Sequence, residues 1–436
     1  MKPVQWYVTT EKEDWRSLAY APVEGDTYTS VTANGDTDQT IHGFGGCFNE
    51  LGGVALQKLP QEKQDEVLDL LFDPAKDDGL RLNYNRMSIG ASDYGARWYS
   101  YNENKGDYAM EKFSIDEDRE YMLPYIKAAY ARGGNDMILF GSPWSPPTWM
   151  KTPPVYNFGR LTWTEENLRA YALYFKKYIE AYAAEGIRVD QIYVQNEMFS
   201  DQKFPSCLWS SDEMYEFITQ YLGPLFEKEG VKTDIMLGTL NANEVIYHDF
   251  PSRFFHDPVA SRYVKGAAFQ WNGKYSVNMT HESFPEKLLI QSENECGNGN
   301  NDWGYAKYIY GLFRHYFTYG VNAYVYWNMI LEPGGMSSWG WHQNAMVTVN
   351  PDATYTLNHE FYVMRHFSRY VQKGAVRLKL QGHFTANSTA FRNPDGSVVL
   401  TTINPFKHAV TMAFDYAGER YSFTLEPDSI HTMVIG

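Results

Sequence analysis

Cysteine is scarce in this 436-residue chain: Cys47, Cys207 and Cys296 are the whole set. An odd, widely spaced set argues against a disulfide framework. It has no Cys-x-x-Cys zinc spacing, and it points to a reducing compartment. Positive charge is also short. Lys and Arg total 38 against 53 Asp and Glu, a formal net charge of −15. Nucleic acids and anionic membranes are gripped by clustered basic side chains, so neither is expected as a partner. No stretch approaches the roughly 18 apolar residues of a membrane span. The opening Met1-Lys2-Pro3-Val4-Gln5-Trp6 leads into no apolar signal core. The expectation is a cytoplasmic protein, or a secreted one whose leader has been removed.

Several motifs are missing too. The turn Gly43-Phe44-Gly45-Gly46-Cys47-Phe48-Asn49-Glu50 lacks the third glycine of a dinucleotide loop. There is no P-loop and no Gly-x-Ser-x-Gly elbow. His281-Glu282 and His359-Glu360 have no second His four residues on, so neither is a His-Glu-x-x-His zinc helix.

What is present is an ordinary globular composition, 44% hydrophobic and 21% charged, unusually rich in aromatics at 16%. The length suits one large domain and an accessory module. Many Trp and Tyr lie beside Asn, Asp, Gly and Pro. Such rings stack on the flat apolar faces of ligands, sugars among them, or pack cores and interfaces.

Short apolar segments bounded by Gly, Asn or Pro read as strands near 41–47, 83–89, 136–141, 190–196, 234–239, 266–271, 287–292 and 321–327. Helical patterns lie between them at 61–72, 116–132, 164–185, 211–229 and 302–319, with another at 357–371. The connections at 251–265 and 272–286 are weaker as helices. Thr164 and Ser211, each followed by acidic residues, read as N-caps. Eight strands with intervening helices predict an α/β fold, a (β/α)8 barrel over 40–371. Residues 372–436 alternate polar with β-branched or aromatic residues. They carry turn signals at Asn393-Pro394-Asp395-Gly396, Asn404-Pro405 and Glu426-Pro427-Asp428. With residues 1–39, rich in Thr, Asp and Val, they predict a small β-sandwich built from both chain ends.

A (β/α)8 barrel keeps its chemistry at the C-terminal ends of its strands. The fourth candidate strand ends Val194-Gln195-Asn196-Glu197 and the seventh ends Ile290-Gln291-Ser292-Glu293. A period of two places Tyr193, Gln195 and Glu197 on one face, and Leu289, Gln291 and Glu293 on another. Both glutamates then point into one cavity. Paired carboxyls suit glycosidic bond cleavage, in which one donates a proton and the other attacks or activates water.

Longer stretches carry a resemblance. They are Gly43-Phe44-Gly45-Gly46, Tyr84-Asn85-Arg86-Met87-Ser88-Ile89, Ser92-Asp93-Tyr94, Gln195-Asn196-Glu197, Gln291-Ser292-Glu293 and Tyr326-Trp327-Asn328-Met329. The most specific is Ser142-Pro143-Trp144-Ser145-Pro146-Pro147-Thr148-Trp149-Met150-Lys151. On these the chain resembles glycoside hydrolase family 30, the glucosylceramidase-like retaining β-glycosidases. The resemblance implies that Glu197 is the acid/base and Glu293 the nucleophile. Strand parity does not separate Glu293 from Glu295. The family pattern of apolar strand, Ser or Thr, then Glu favours Glu293. The resemblance further implies that Asn196 bonds the sugar 2-hydroxyl and that Arg86 orients the nucleophile. Asp93, Trp144 and Trp327 would form the innermost sugar site, and Asn328 either joins them or caps the strand end. Trp339 and Trp341 would line the leaving-group side, and Trp271 the barrel mouth. The expected separation of the two carboxyls is about 5–5.5 Å. The chemistry requires no metal or organic cofactor.

One departure bears on the sugar. Glucosylceramidase-like members often end the sixth strand His-Trp-Tyr, where this chain has Gln270-Trp271-Asn272. Two residues also stand inserted near Trp339 and Trp341. The expected partner is a β-linked glycoside or oligosaccharide, and the first expectation is an exo-acting β-glucosidase. A β-xylosidase, a β-fucosidase or an endo-β-1,6-glucanase is the alternative, and a non-catalytic carbohydrate-binding barrel a more distant one. Oligomeric state is left open, a homo-oligomer included.

Overall fold

The computed structural model describes residues 2–23, 27–242 and 246–436. Residues 1 and 24–26, read above as part of the sandwich, and 243–245, read as part of the barrel, lie outside the described residues. Eight parallel strands form the barrel: β1 Gly43–Phe48, β2 Tyr84–Ser88, β3 Ile138–Ser142, β4 Gln191–Tyr193, β5, β6 Gly266–Gln270, β7 Leu288–Glu293 and β8 Ala323–Asn328. Strand β5 is broken into Asp234–Met236 and Thr239–Leu240. Its first piece pairs with β4 and its second with β6, and this closes the ring. The expected α/β barrel with a sandwich beside it is therefore the fold.

The Gly43-Phe44-Gly45-Gly46 motif has a steric cause. A Cβ on Gly45 would sit 1.7 Å from the Tyr84 carbonyl oxygen of β2, so only glycine lets the two backbones approach. Inside the ring, Tyr84, Phe140, Tyr193, Met236, Ala268, Ile290, Ala323 and Val325 pack as one apolar layer. The neighbouring strand residues face the helices. Leu139, Ile192, Val194 and Leu289 join the large core between barrel and helices.

The helices follow their sequence signals except at 116–132, which divides into a tight turn Asp116–Arg119 and the helix Met122–Gly133, and at 211–229. Thr164 caps Glu165–Ala184 by accepting from the Asn167 amide. At the next helix the cap is Ser210, not Ser211. Ser210 and Glu213 form a reciprocal capping box, which leaves Ser211 as the first helical residue. That helix then widens into a π-helical stretch, Phe217–Leu222, before Gly223–Glu229. The weaker connections form the short helices Arg253–His256, Pro258–Tyr263 and Val277–Ser283. Among the described residues no helix is long and apolar enough to cross a membrane.

The second nine-stranded sheet joins both ends of the chain. Val4–Thr10 pairs antiparallel with Ser429–Ile435 along its whole length. All its pairings are antiparallel except Val410–Tyr416 against Ser30–Thr40. Alternation divides its side chains between two cores. Val398 and Leu400 enter the sandwich core with Trp6, Phe414 and Met433, while Val399 and Ile403 face the barrel helices. Among the described residues, none of this sheet lines the cavity at the strand ends.

Candidate active site

Arg86, at the upper end of β2, is wholly buried and sits at the centre of the strand ends. Its Nη1 donates to Glu293 Oε2 at 2.9 Å, to the Ser292 carbonyl at 3.1 Å and to Gln270 Oε1 at 3.3 Å. Its Nη2 donates to Ser142 Oγ at 2.9 Å and to Asn196 Oδ1 at 2.6 Å. Trp144 and Trp327 flank the guanidinium at 4.7 and 5.4 Å from their ring centres. One cation thus ties together β2, β3, β6, β7 and the loop after β4.

Glu197 and Glu293 open into the same cavity, of about 310 Å³, together with Asp93, Trp144 and Asn196. The alternation proposed for the two strands does not deliver them. Tyr193 faces the barrel interior, but Gln195 bonds outward to Trp209 Nε1 at 3.2 Å. Asn196 and Glu197 then both turn inward, because Glu197 takes a left-handed backbone at φ 47°. Its amide is held by Thr239 Oγ1 at 3.0 Å. On β7, Leu289 faces the helices and Ile290 the interior. A register shift against β6 sets Glu293, not Ser292, opposite Gln270. The extra residue turns Glu293 into the cavity.

Gln270 bridges the two acids. Its Nε2 donates to Glu197 Oε1 at 3.0 Å and to Glu293 Oε2 at 3.3 Å. Those two oxygens therefore lie no more than about 6.3 Å apart, the combined length of the two bonds. Pairs that admit a water between substrate and base are spaced at roughly 6.5–9.5 Å. Glu197 Oε2 accepts from Ser200 Oγ at 3.0 Å, and Ser200 in turn accepts from Asn241 Nδ2 at 2.7 Å.

Burial raises the carboxyls of Glu197, Glu293 and Asp93 together, because each loses the water that would solvate its charge. Asp93 is pushed up to about 7 by burial and by the neighbouring Glu197. Among the described residues Arg86 is the cation that stands between the three, and its close ion pair is with Glu293. That pairing favours the ionised form of Glu293 and works against the burial that raises it well above the ordinary carboxyl range, while Gln270, Ser200 and, more weakly, Arg86 lower Glu197.

The remaining expected residues divide. Asn196 lines the cavity. Its Oδ1 is taken by Arg86 and by Thr239 Oγ1, so its amide N–H groups are the side left for a ligand. Trp144 lines the cavity, and Asp93 Oδ1 is buried there without a protein partner. Trp271, Trp339 and Trp341 are half-buried at its mouth, with ring centres 6.0 Å (Trp271–Trp341) and 5.2 Å (Trp339–Trp341) apart.

Two residues do not line it. Trp327 lies behind Trp144, with ring centres 5.3 Å apart. Asn328 accepts from Asn49 Nδ2 at 3.0 Å and donates to Gln343 Oε1 at 2.7 Å. All its hydrogen bonds are internal, so its work is to hold Gln343, which does line the cavity. Glu295 faces elsewhere, paired with Lys274 and bonded by the Tyr308 hydroxyl.

Sequence reasoning missed Ser200, Gln202, Phe204, Asn241 and Gln343, all in loops after β4, β5 and β8. Their one sequence signal is closeness to a strand end, as with Ser200 three residues after Glu197. Among the described residues, no three His, Cys, Asp or Glu side chains are placed to hold a metal ion.

Comparison with known proteins gives a consistent result. The family model described as the glycosyl hydrolase family 30 TIM-barrel domain matches residues 41–371, and that of the family 30 beta sandwich domain matches 374–433. Lysosomal acid glucosylceramidase of Mus musculus is 26% identical over 422 residues, covering 90% of this chain and 81% of the relative. Endo-1,6-beta-D-glucanase neg1 of Aspergillus fumigatus is 29% identical over 433 residues, covering 91% and 85%. The crystal structure of SrfJ from Salmonella typhimurium has the same fold, with a TM-score of 0.89 at 24% identity over 99% of both chains.

Proposed function

This chain belongs to glycoside hydrolase family 30 and is an O-glycosyl hydrolase, and from that premise we propose that it is a retaining, exo-acting β-glucosidase. The observation that carries the mechanism is the single Gln270 nitrogen within hydrogen-bond reach of both Glu197 and Glu293. Carboxyls that close suit a double displacement.

In the first step a Glu293 oxygen attacks the anomeric carbon. The bond from that carbon to the leaving oxygen breaks, and the Glu197 proton goes to the leaving oxygen. The product is a glycosyl ester on Glu293 and an ionised Glu197. In the second step Glu197 takes a proton from water as the water oxygen attacks the same carbon. The ester bond breaks and Glu293 returns as a carboxylate. Asn196 donates to the 2-hydroxyl, a contact that strengthens as the ring flattens. Asp93 and Trp144 receive the far edge of the sugar.

The cavity volume of about 310 Å³ supports exo action, because it stands at the small end of ligand pockets. The Mus musculus relative is named for cleaving a glucosyl lipid, which supports glucose at the inner site. The half-buried Trp271, Trp339 and Trp341 favour a second reading, since rings at the mouth suit a further sugar of a β-1,6-glucan. The Aspergillus relative is named for that activity.

A slow fluorinated aryl β-glucoside tests the mechanism. The expected result is a covalent adduct on Glu293, read by mass spectrometry of its peptide. An adduct elsewhere, or release of the α-anomer seen by NMR, would overturn it. Products from a β-1,6-glucan separate the two substrate readings: glucose alone marks exo action, and a ladder of oligosaccharides marks endo action.

A further inference from the structure

Resting on that reading of the two glutamates, we propose that Gln270 is a positioning residue that passes one hydrogen bond between them as negative charge moves from Glu293 to Glu197. Its amide is held by one end. Gln270 Oε1 accepts from Arg86 Nη1 at 3.3 Å and from Ser292 Oγ at 2.8 Å. A guanidinium cannot accept, so the amide cannot turn over, and Nε2 must face the acids.

At that end acceptors outnumber donors. Nε2 lies 3.0 Å from Glu197 Oε1 and 3.3 Å from both Glu293 Oε2 and Asn196 Oδ1. An amide nitrogen has two hydrogens, so one of the three is always served least. The more highly charged acceptor takes the stronger bond. Before the first step the charge is on Glu293. Once Glu293 is an ester, the charge is on Glu197. Both oxygens are already within reach, so the exchange needs only a small tilt of the amide.

The backbone holds Gln270 at this point. The register shift on β7 sets it opposite Glu293, and Trp271 after it adopts a left-handed backbone at φ 50°. The charged and titratable groups around it are Arg86 from β2, Asp93 from the loop after β2, Glu197 after β4 and Glu293 on β7. The thiols of Cys47 and Cys296 stand behind these, both pushed up by burial. An amide is neutral throughout, so Gln270 can donate in both half-reactions.

The test is the pH profile of kcat/KM on an aryl β-glucoside for the full chain and for Gln270→Met. A donor favours the ionised form of its acceptor, so losing it raises both acids. The acidic limb follows Glu293 and the alkaline limb Glu197. Both limbs should move up by about one pH unit, and burst kinetics should show both half-reactions slowed. A merely structural role would lower the rate and leave the limbs in place. Unmoved limbs, or movement of only one, would overturn the inference. Gln270→Leu removes the donor at nearly the same shape and adds no charge; it should also move both limbs upward, and it decides the matter if Gln270→Met does not fold. Labelling of the unaltered enzyme by the fluorinated glucoside separates the two levels. If Glu293 is not labelled, the mechanism itself fails. If it is labelled and the limbs stay put, only the role of Gln270 fails.

Discussion

Along the same strands, two residues apart, the barrel holds two kinds of interior. Tyr84, Phe140, Ala268 and Ile290 lie in the lower layer. Arg86, Ser142, Gln270 and Ser292, each two positions further on, lie in the upper one and are joined by hydrogen bonds. The lower layer gains stability by removing apolar surface from water. The upper layer gathers three buried carboxyls around one guanidinium, an arrangement that costs stability and is held in place by geometry. The contrast teaches that the fold and the chemistry draw on adjacent rungs of one scaffold, with stability supplied below and used above.

The largest effect expected on this contrast is from Arg86→Met. It removes the cation that stands between Glu197, Glu293 and Asp93. Stability should fall by about 3–5 kcal/mol at pH 7, and kcat/KM by on the order of 10³-fold or more. Because burial has raised all three acids, they take up protons readily. The stability loss, measured by urea unfolding, should therefore shrink at pH 5. A variant as stable as the parent at pH 7 would break the comparison.

Ile290→Ala strikes the lower layer directly beneath Ser292. It should cost about 2–5 kcal/mol while leaving the pH limbs of the folded enzyme where they were. Displaced limbs would show that the two layers are mechanically one.

The smallest effect is on the outer ring of helices. Glu360 is buried on the helix His359–Ser368 and accepts from Asn344 Nδ2 at 2.6 Å. Burial raises its carboxyl to about 8. A raised acid binds its proton more tightly when folded, so stability is full below the ordinary carboxyl range and falls as pH rises toward 8. Glu360→Gln should remove that slope. Thermal melts should match the parent near pH 4.5 and lie several degrees above it near pH 8. Equal slopes in both proteins would mean that Glu360 does not carry its proton in the fold.

Much of this was legible in the residues themselves. All eight barrel strands lie where short apolar segments end in Gly, Asn or Pro, and Asn393-Pro394-Asp395-Gly396 does join Ser388–Arg392 to Val398–Asn404. The convergence of Glu197 and Glu293 was legible as well, although for the wrong local reason. A strict period of two assumes an unbroken strand. Here a left-handed Glu197 and a one-residue shift at Glu293 each break it. Asn328 read from the resemblance as a ligand contact or as a cap on the strand end, and local sequence does not separate the two. Its neighbours Asn49 and Gln343, distant in the chain, claim its polar atoms instead.

The amino-acid order alone determined which segments become strands and helices, which strand ends carry acids, and that the termini make a second β module. Those follow from periodicity and turn chemistry, which act over a few residues. The closing of the ring by a broken fifth strand, the pairing of Arg86 with Glu293, and the amide shared by both acids were decided only by tertiary structure. Each depends on distances of about three ångströms between residues far apart in the chain. Such distances are set when the strands pack, and no local pattern encodes them.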